Sequence, residues 1–281
     1  MITLITDSMS DISQSEATEI GIRVIPLTVR FGTEEFRDGI DISLEDYYAR
    51  METVTELPKT SQVTPDSFEH AFKKELAAGN QVLCITGSSR LSGTYQSAEI
   101  AWDHLKKPAD IRLVDSMNAS HGEALLVFAA VKYLKQGHTL EETAAFLERI
   151  VPQLRMTGMA RELKYLVMGG RISAGVGAIG STLGICPMVK LEDGQMKTAG
   201  LCHGRLKARR WFLDKLKEMP ANPDYPMFFA GAHCDDVVEA LRDAAVEAGL
   251  TPPETQLRQI GPVIGTHTGP GLVSIGWVAA E

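Results

Sequence analysis

The residues best suited to chemistry lie between Thr86 and Ala98, in the run Thr-Gly-Ser-Ser-Arg-Leu-Ser-Gly-Thr-Tyr-Gln-Ser-Ala. Ser88, Ser89, Ser92 and Thr94 are hydroxyl donors, and Gly93 allows a close backbone approach. Before them, Gln81–Ile85 is crowded with apolar and β-branched residues, which predicts a strand. After them, Tyr95, Ala98, Trp102 and Leu105 recur at helical spacing. The loop therefore joins the C-terminal end of a strand to the N-terminus of a helix, where free N–H groups and the helix dipole favour an anion. It is not a nucleotide P-loop, because Gly93 runs straight into Thr94 with no lysine between them. An ordinary strand-to-helix turn with Ser92 or Thr94 as N-cap uses the same residues.

A second constellation surrounds His267, in Gly261-Pro-Val-Ile-Gly-Thr-His-Thr-Gly-Pro-Gly271, which reads as a constrained loop. Ser92 as nucleophile with His267 as base would make a serine hydrolase or acyltransferase. No Gly-x-Ser-x-Gly elbow accompanies them; the nearest run, Gly180-Ser-Thr-Leu-Gly184, centres on Thr182. A phosphate-binding or phospho-histidine carrier is a third use of the same loop and histidine. Cys84, Cys186, Cys202 and Cys234 show no Cys-x-x-Cys spacing, so reduced thiols and no metal are expected.

Positioning these groups falls to alternating strands and helices. Ile2–Thr6 and Ile111–Val114 read as strands that end in the pairs Asp7-Ser8 and Asp115-Ser116. Arg23–Phe31 reads as one strand with Pro26 marking an edge or bulge. Ser43 with Asp46, Thr64-Pro65-Asp66 and Thr139 with Glu142 are helix starts. Alternation of this kind predicts a mostly parallel sheet whose ligand edge is at the strands' carboxyl ends. From Pro152 onward the texture changes. Arg161–Met168 reads as a short helix broken by Gly169-Gly170-Arg171, and Ile172–Gly184 is rich in small residues, suited to another helix or to an elongated apolar ligand. Pro187–Ala199 reads as a hairpin around Glu192-Asp-Gly194, and Gly204–Met219 as a basic helix. Strands follow at Met227–Ala232, Thr255–Ile260 and Leu272–Ala279.

The chain has 281 residues and a formal charge of −8, enough length for two domains and no electrostatic support for a nucleic-acid partner. The longest apolar run, Ala124–Val131, is too short to span a membrane and reads as a core helix. Met1 leads directly into a strand with no secretory pattern, so a cytoplasmic location is expected.

Taken together, Thr6-Asp-Ser8, Asp38-Gly39, Thr60-Ser-Gln62, Ser88–Ala98, Asp115-Ser116, Gly169-Gly-Arg-Ile-Ser173 and Gly265–Gly271 resemble, in order, the motifs of the DegV family. That family comprises bacterial fatty-acid-binding proteins that serve as the lipid-presenting subunit of fatty acid kinase. One departure stands out: the family usually places a proline just after Thr-Ser-Gln, whereas Val63 and Thr64 precede Pro65 here. The resemblance implies two α/β domains, residues 1–153 with a mostly parallel sheet and residues 154–281 with a mixed one, and an acyl chain bound between them. It implies that Thr60, Ser92, the N–H of Gly93 and His267 hold a fatty-acid carboxylate, and that Arg171 and Arg205 serve phosphoryl transfer by a separate ATP-dependent kinase. It further implies a protein without catalysis or a cofactor of its own, whose ligand is a long-chain fatty acid and which touches membrane surfaces transiently.

Overall fold

The computed structural model describes residues 1–173 and 184–280. Most of the small-residue run Ile172–Gly184 lies outside the described residues.

Strand β1 (Ile2–Asp7) enters the core at once, and α1 (Gln14–Ile20) follows with the Ser13 hydroxyl accepting from the Glu16 N–H. The stretch expected as one strand from Arg23 to Phe31 is two. β2 (Arg23–Ile25) pairs in parallel with β1, while β3 (Thr28–Phe31) leaves for another sheet, joining β4 (Glu34–Arg37). Pro26 has no N–H to continue the ladder, and the Leu27 N–H turns to the Ser8 hydroxyl instead, at 3.0 Å. Next come α2 (Leu44–Thr53) and β5 (Lys59–Ser61), which pairs with β3 and so holds Thr60 opposite Val29. In α3 (Pro65–Ala77) the Thr64 hydroxyl accepts from Ser67 N, with Pro65 in the first turn. Pushing the proline two places back from Gln62 makes it a helix start and leaves Val63 buried in the core.

The parallel layer is completed by β6 (Gln81–Thr86), α4 (Thr94–His104), β7 (Ile111–Asp115), α5 (His121–Lys135) and α6 (Leu140–Ile150). Its strand order is β2-β1-β6-β7, all parallel. α6 starts in a full capping box: Thr139 accepts from Glu142 N and Glu142 accepts from Thr139 N. α5 contains the apolar run Ala124–Val131, buried almost throughout, as expected of a core helix.

From Leu154 the chain builds a second sheet. Its strands are β8 (Leu154–Met159), then, after α7 (Lys164–Met168), β9 (Ile185–Glu192) and β10 (Gln195–His203). After α8 (Arg205–Glu218) come β11 (Met227–Gly231), α9 (Asp235–Glu247) and β12 (Thr255–Gln259); after α10 (Pro262–Thr268), β13 (Val273–Val278) closes the fold. The order is β10-β9-β8-β13-β11-β12, antiparallel except for the β11–β12 pair. The β9–β10 turn places Asp193 and Gly194 at φ +51° and +74°, the handedness a two-residue hairpin needs. The fold is thus α/β, with a parallel sheet in its first part and a mixed sheet in its second, and α5 packs against strands of both.

The stretch around His267, expected as a loop, contains a helix. α10 starts with Pro262 after Gly261 and ends at Gly269, φ +76°. Its glycines suggested irregular backbone, but one is there for a close approach: a Cβ on Gly265 would stand 2.9 Å from the Tyr48 hydroxyl. Tyr48 donates to the Ile260 carbonyl at 2.8 Å, and Tyr47 shares a 3.0 Å hydrogen bond with Thr266. Both tyrosines are buried on α2, so a helix of the second half is locked into the first.

Candidate functional site

β6 ends at Thr86, and the loop after it is held by the protein's own carboxylates. Asp7 accepts from the Gly87 N–H at 2.9 Å, and Asp115 accepts from Ser89 N. The Ser88 hydroxyl donates to the Gly194 carbonyl at 2.7 Å, which ties the loop to the β9–β10 hairpin and removes Ser88 from any ligand-binding role. What remains for an anion is the end of the loop. Gly93 precedes α4 and can offer it no side-chain cap; the Ser92 hydroxyl bonds Thr94 through its side chain at 2.9 Å and its N–H at 3.3 Å.

Ser92 and Gly93 open onto a cavity of about 140 Å³ whose mouth also holds Thr60, Gln62, Arg171 and His267. Thr60 comes from the small antiparallel sheet, Ser92 and Gly93 from the parallel layer, Arg171 from the turn after α7, and His267 from α10. Four separate parts of the fold thus converge on one opening. Behind them the lining turns apolar: Met9, Leu27, Met156, Leu166, Ile264 and Leu272.

Thr60 Oγ1 and His267 Nε2 share a 2.8 Å hydrogen bond. His267 Nδ1 is buried without a partner and faces Gly169, where a Cβ would lie 2.4 Å from it. Burial, with the Arg171 cation adding to it, lowers the His267 pKa to about 4, so the imidazole is neutral near pH 7. Arg171 is not free at the surface. Its Nε and Nη2 donate to the Leu91 carbonyl at 3.2 and 3.0 Å, and its Nη1 donates to the Gly169 carbonyl. The fork bridges the turn after α7 and the hydroxyl loop across the mouth, and partial burial lowers its pKa.

Gln62 belongs to the site although sequence reasoning gave it no role beyond its motif. Its amide donates to Ser97 at 2.9 Å and to the Gly93 carbonyl at 3.2 Å, and a Cβ on Gly93 would lie 2.0 Å from its Oε1. A side chain at position 93 would have to push the end of Gln62 aside, so the bare glycine keeps the loop open to a close approach. Arg205 stands elsewhere: exposed at the start of α8, it borders a cleft shared with Arg161, Cys186, His233 and Asp236. Among the described residues no group of three or more His, Cys, Asp or Glu could hold a metal, and no helix is long and apolar enough to cross a membrane.

A Ser–His pair for nucleophilic catalysis is not assembled. His267 bonds Thr60 rather than Ser92, Ser92 bonds Thr94, and no acid orients the far nitrogen of the ring. Oxygens and N–H groups at the mouth of an apolar cavity suit a carboxylate on an elongated apolar body.

The comparisons with known proteins agree on one family. The family described as "Uncharacterised protein, DegV family" matches residues 1–280. A DegV domain-containing protein of Clostridium acetobutylicum is 33% identical over 268 residues, 95% of each chain. A DegV family protein from Thermus thermophilus, whose structure is described by its fatty-acid binding, superposes with a TM-score of 0.90 at 31% identity, over 99% of both chains. A stearic-acid-binding protein from Eubacterium ventriosum superposes with a TM-score of 0.87 at 26% identity, over 99% of this chain and 98% of that one. With its α/β fold and its hydroxyl-rimmed cavity, the chain belongs to the DegV family.

Proposed function

We propose that this protein binds a long-chain fatty acid and has no catalysis of its own. One observation carries the reading: a single cavity has hydroxyl, N–H and imidazole groups at its mouth and aliphatic and methionine side chains behind them. The similarity to the fatty-acid-binding proteins of Thermus thermophilus and Eubacterium ventriosum supports it. The carboxylate sits at Thr60, Ser92, the Gly93 N–H and His267, and the acyl chain runs inward between two units, residues 1–153 and 154–281. Burying each methylene is worth about 0.8 kcal/mol, so the chain supplies the affinity and the mouth sets the orientation. Carboxylate desolvation is offset only if the rim donates charge-assisted hydrogen bonds, each about 1.5–3 kcal/mol.

The second part of the proposal is that the carboxylate is presented to a separate ATP-dependent kinase that forms an acyl phosphate in the cytoplasm. The chain carries no P-loop lysine to hold ATP itself. Arg171 at the mouth and exposed Arg205 at the start of α8 are the cations we assign to a phosphoryl group and a partner, and a passing contact with a membrane surface would load the lipid. Native mass spectrometry of the purified protein, before and after organic extraction, tests the binding. One long-chain fatty acid per chain is expected; an empty protein that also refuses added palmitate and oleate contradicts the reading. Incubation with a cognate kinase and ATP should then yield acyl phosphate, and neither protein alone should.

A further inference from the structure

The buried lining of the same cavity is not wholly apolar: Ser120, His121 and Ser274 belong to it, and His121 is 1% exposed at the start of α5. His121 Nε2 makes no hydrogen bond, although the ring is enclosed by protein. Its other nitrogen, Nδ1, lies 3.1 Å from the Ser120 hydroxyl, which in turn donates to Asp11 Oδ2. Burial, with a contribution from Arg258, lowers the imidazole pKa to about 4, against the pull of the Ile275 backbone, so the ring is neutral.

Two features show that the ring is accommodated there. Gly276 of β13 clears space for it, since a Cβ at that position would lie 2.5 Å from His121 Cδ2. Ser120 takes φ +54° to turn the chain into α5, a costly conformation for a residue that is not glycine. A slot meant only for a hydrocarbon tail would close more cheaply with leucine or phenylalanine, because a buried nitrogen without a partner costs about 1–3 kcal/mol.

We propose that His121 Nε2 receives a hydroxyl group carried on the buried part of the acyl chain, so that this protein selects a hydroxy fatty acid. The proposal rests on the fatty-acid reading above and names the class of fatty acid. A hydroxyl answers either state of the Asp11–Ser120–His121 chain. With Asp11 ionised, Ser120 donates to it, Nδ1–H donates to Ser120, and Nε2 accepts. With Asp11 protonated, the order reverses and Nε2–H donates. A carbonyl or a double bond answers only the second state. Ser274, whose hydroxyl reaches the Ala230 carbonyl only at 3.4 Å, stands by as a second partner.

The test compares stearic acid with its isomers hydroxylated at carbon ten, twelve, fourteen and the terminal carbon, in displacement of a fluorescent fatty acid from the delipidated protein. At least one isomer should bind about tenfold more tightly than stearate, the worth of one good hydrogen bond to an otherwise unpaired group. In His121→Phe, with folding checked by melting temperature, the ratio of that isomer to stearate should fall to one or below, and His121→Gln should restore part of it. Since the phenylalanine variant could fail to fold, the nitrogen resonance of His121 Nε2 should also shift with the preferred isomer and not with stearate. If stearate binds and every isomer binds more weakly, or if the preference survives His121→Phe, the hydroxyl site is refuted and the fatty-acid reading stands. If neither stearate nor any isomer binds, both fall together.

Discussion

Thr60 and His267 are 207 residues apart in the chain and share a hydrogen bond of 2.8 Å at the mouth of the cavity. The contact joins the small antiparallel sheet to α10, so the rim exists only when the two halves of the chain are docked. Thr60→Val keeps the shape and removes the oxygen. His267 would then lose its one bonded nitrogen, with the other already unpartnered. Fatty-acid affinity should fall about tenfold or more, as expected for losing a hydrogen bond to a carboxylate, while circular dichroism stays native. An unchanged dissociation constant would remove Thr60 from the carboxylate site.

Ser92→Ala separates a ligand role from a structural one. The hydroxyl supports the start of α4 through Thr94, and losing that support costs about 1 kcal/mol of stability. If Ser92 also donates to the carboxylate, lipid affinity should fall about 10- to 100-fold beyond the loss in melting temperature. A lower melting temperature with unaltered affinity would make it only a support for the helix.

Much of this arrangement can be read from the residue types, and the unreadable parts have physical reasons. The hydroxyl loop between β6 and α4 was legible because strand, loop and helix each carry their own local pattern. The capping signals at Ser43, Thr64 and Thr139 were legible for the same reason. Pro26 reads as an edge or a bulge, and β2 before it is an edge strand; that β3 then leaves for another sheet is decided by what Leu27 finds to bond. Helix α10 was hidden because Gly265 and Gly261 serve contacts with Tyr48 and Asp11 rather than chain freedom. Gln62 and the Leu91 carbonyl owe their places to partners distant in sequence, which no local spacing encodes.

Protonation gives a prediction for stability. Burial raises the carboxyls of Asp7, Asp38 and Asp11 to about 6, 7 and 8, from about 4 in an unfolded chain. Because the folded state holds these protons more tightly, their contribution is complete below about pH 4 and is lost as the pH climbs through those three values. His121 and His267, lowered to about 4, act oppositely: their contribution is lost as pH falls from about 6.5 toward 4. Above about pH 6.5 only the acids still change, so the melting temperature of the lipid-free protein should drop between about pH 6.5 and 8.5. Asp11→Asn, neutral at every pH, should flatten that slope. A flat profile in the unaltered protein would show that the buried acids are ionised in the native state.

Arg171 carries the last prediction, because its geometry changes what its loss should do. Its guanidinium reaches across to the Leu91 carbonyl and back to Gly169. A charged donor holding two backbone segments at a cavity mouth acts as a latch, and its planar fork is what lets one side chain span both. Arg171→Ala should therefore speed exchange of bound fatty acid by about tenfold, since only the part of the mouth it ties is freed. Arg171→Lys keeps the charge without the fork and should remain fast, whereas a purely electrostatic hold on the carboxylate would be restored by lysine. In the kinase reaction both variants, saturated with lipid so that exchange no longer limits, report on phosphoryl transfer. Loss of turnover under saturation would place the guanidinium at the phosphoryl group as well as at the mouth. Full turnover would leave it the latch alone.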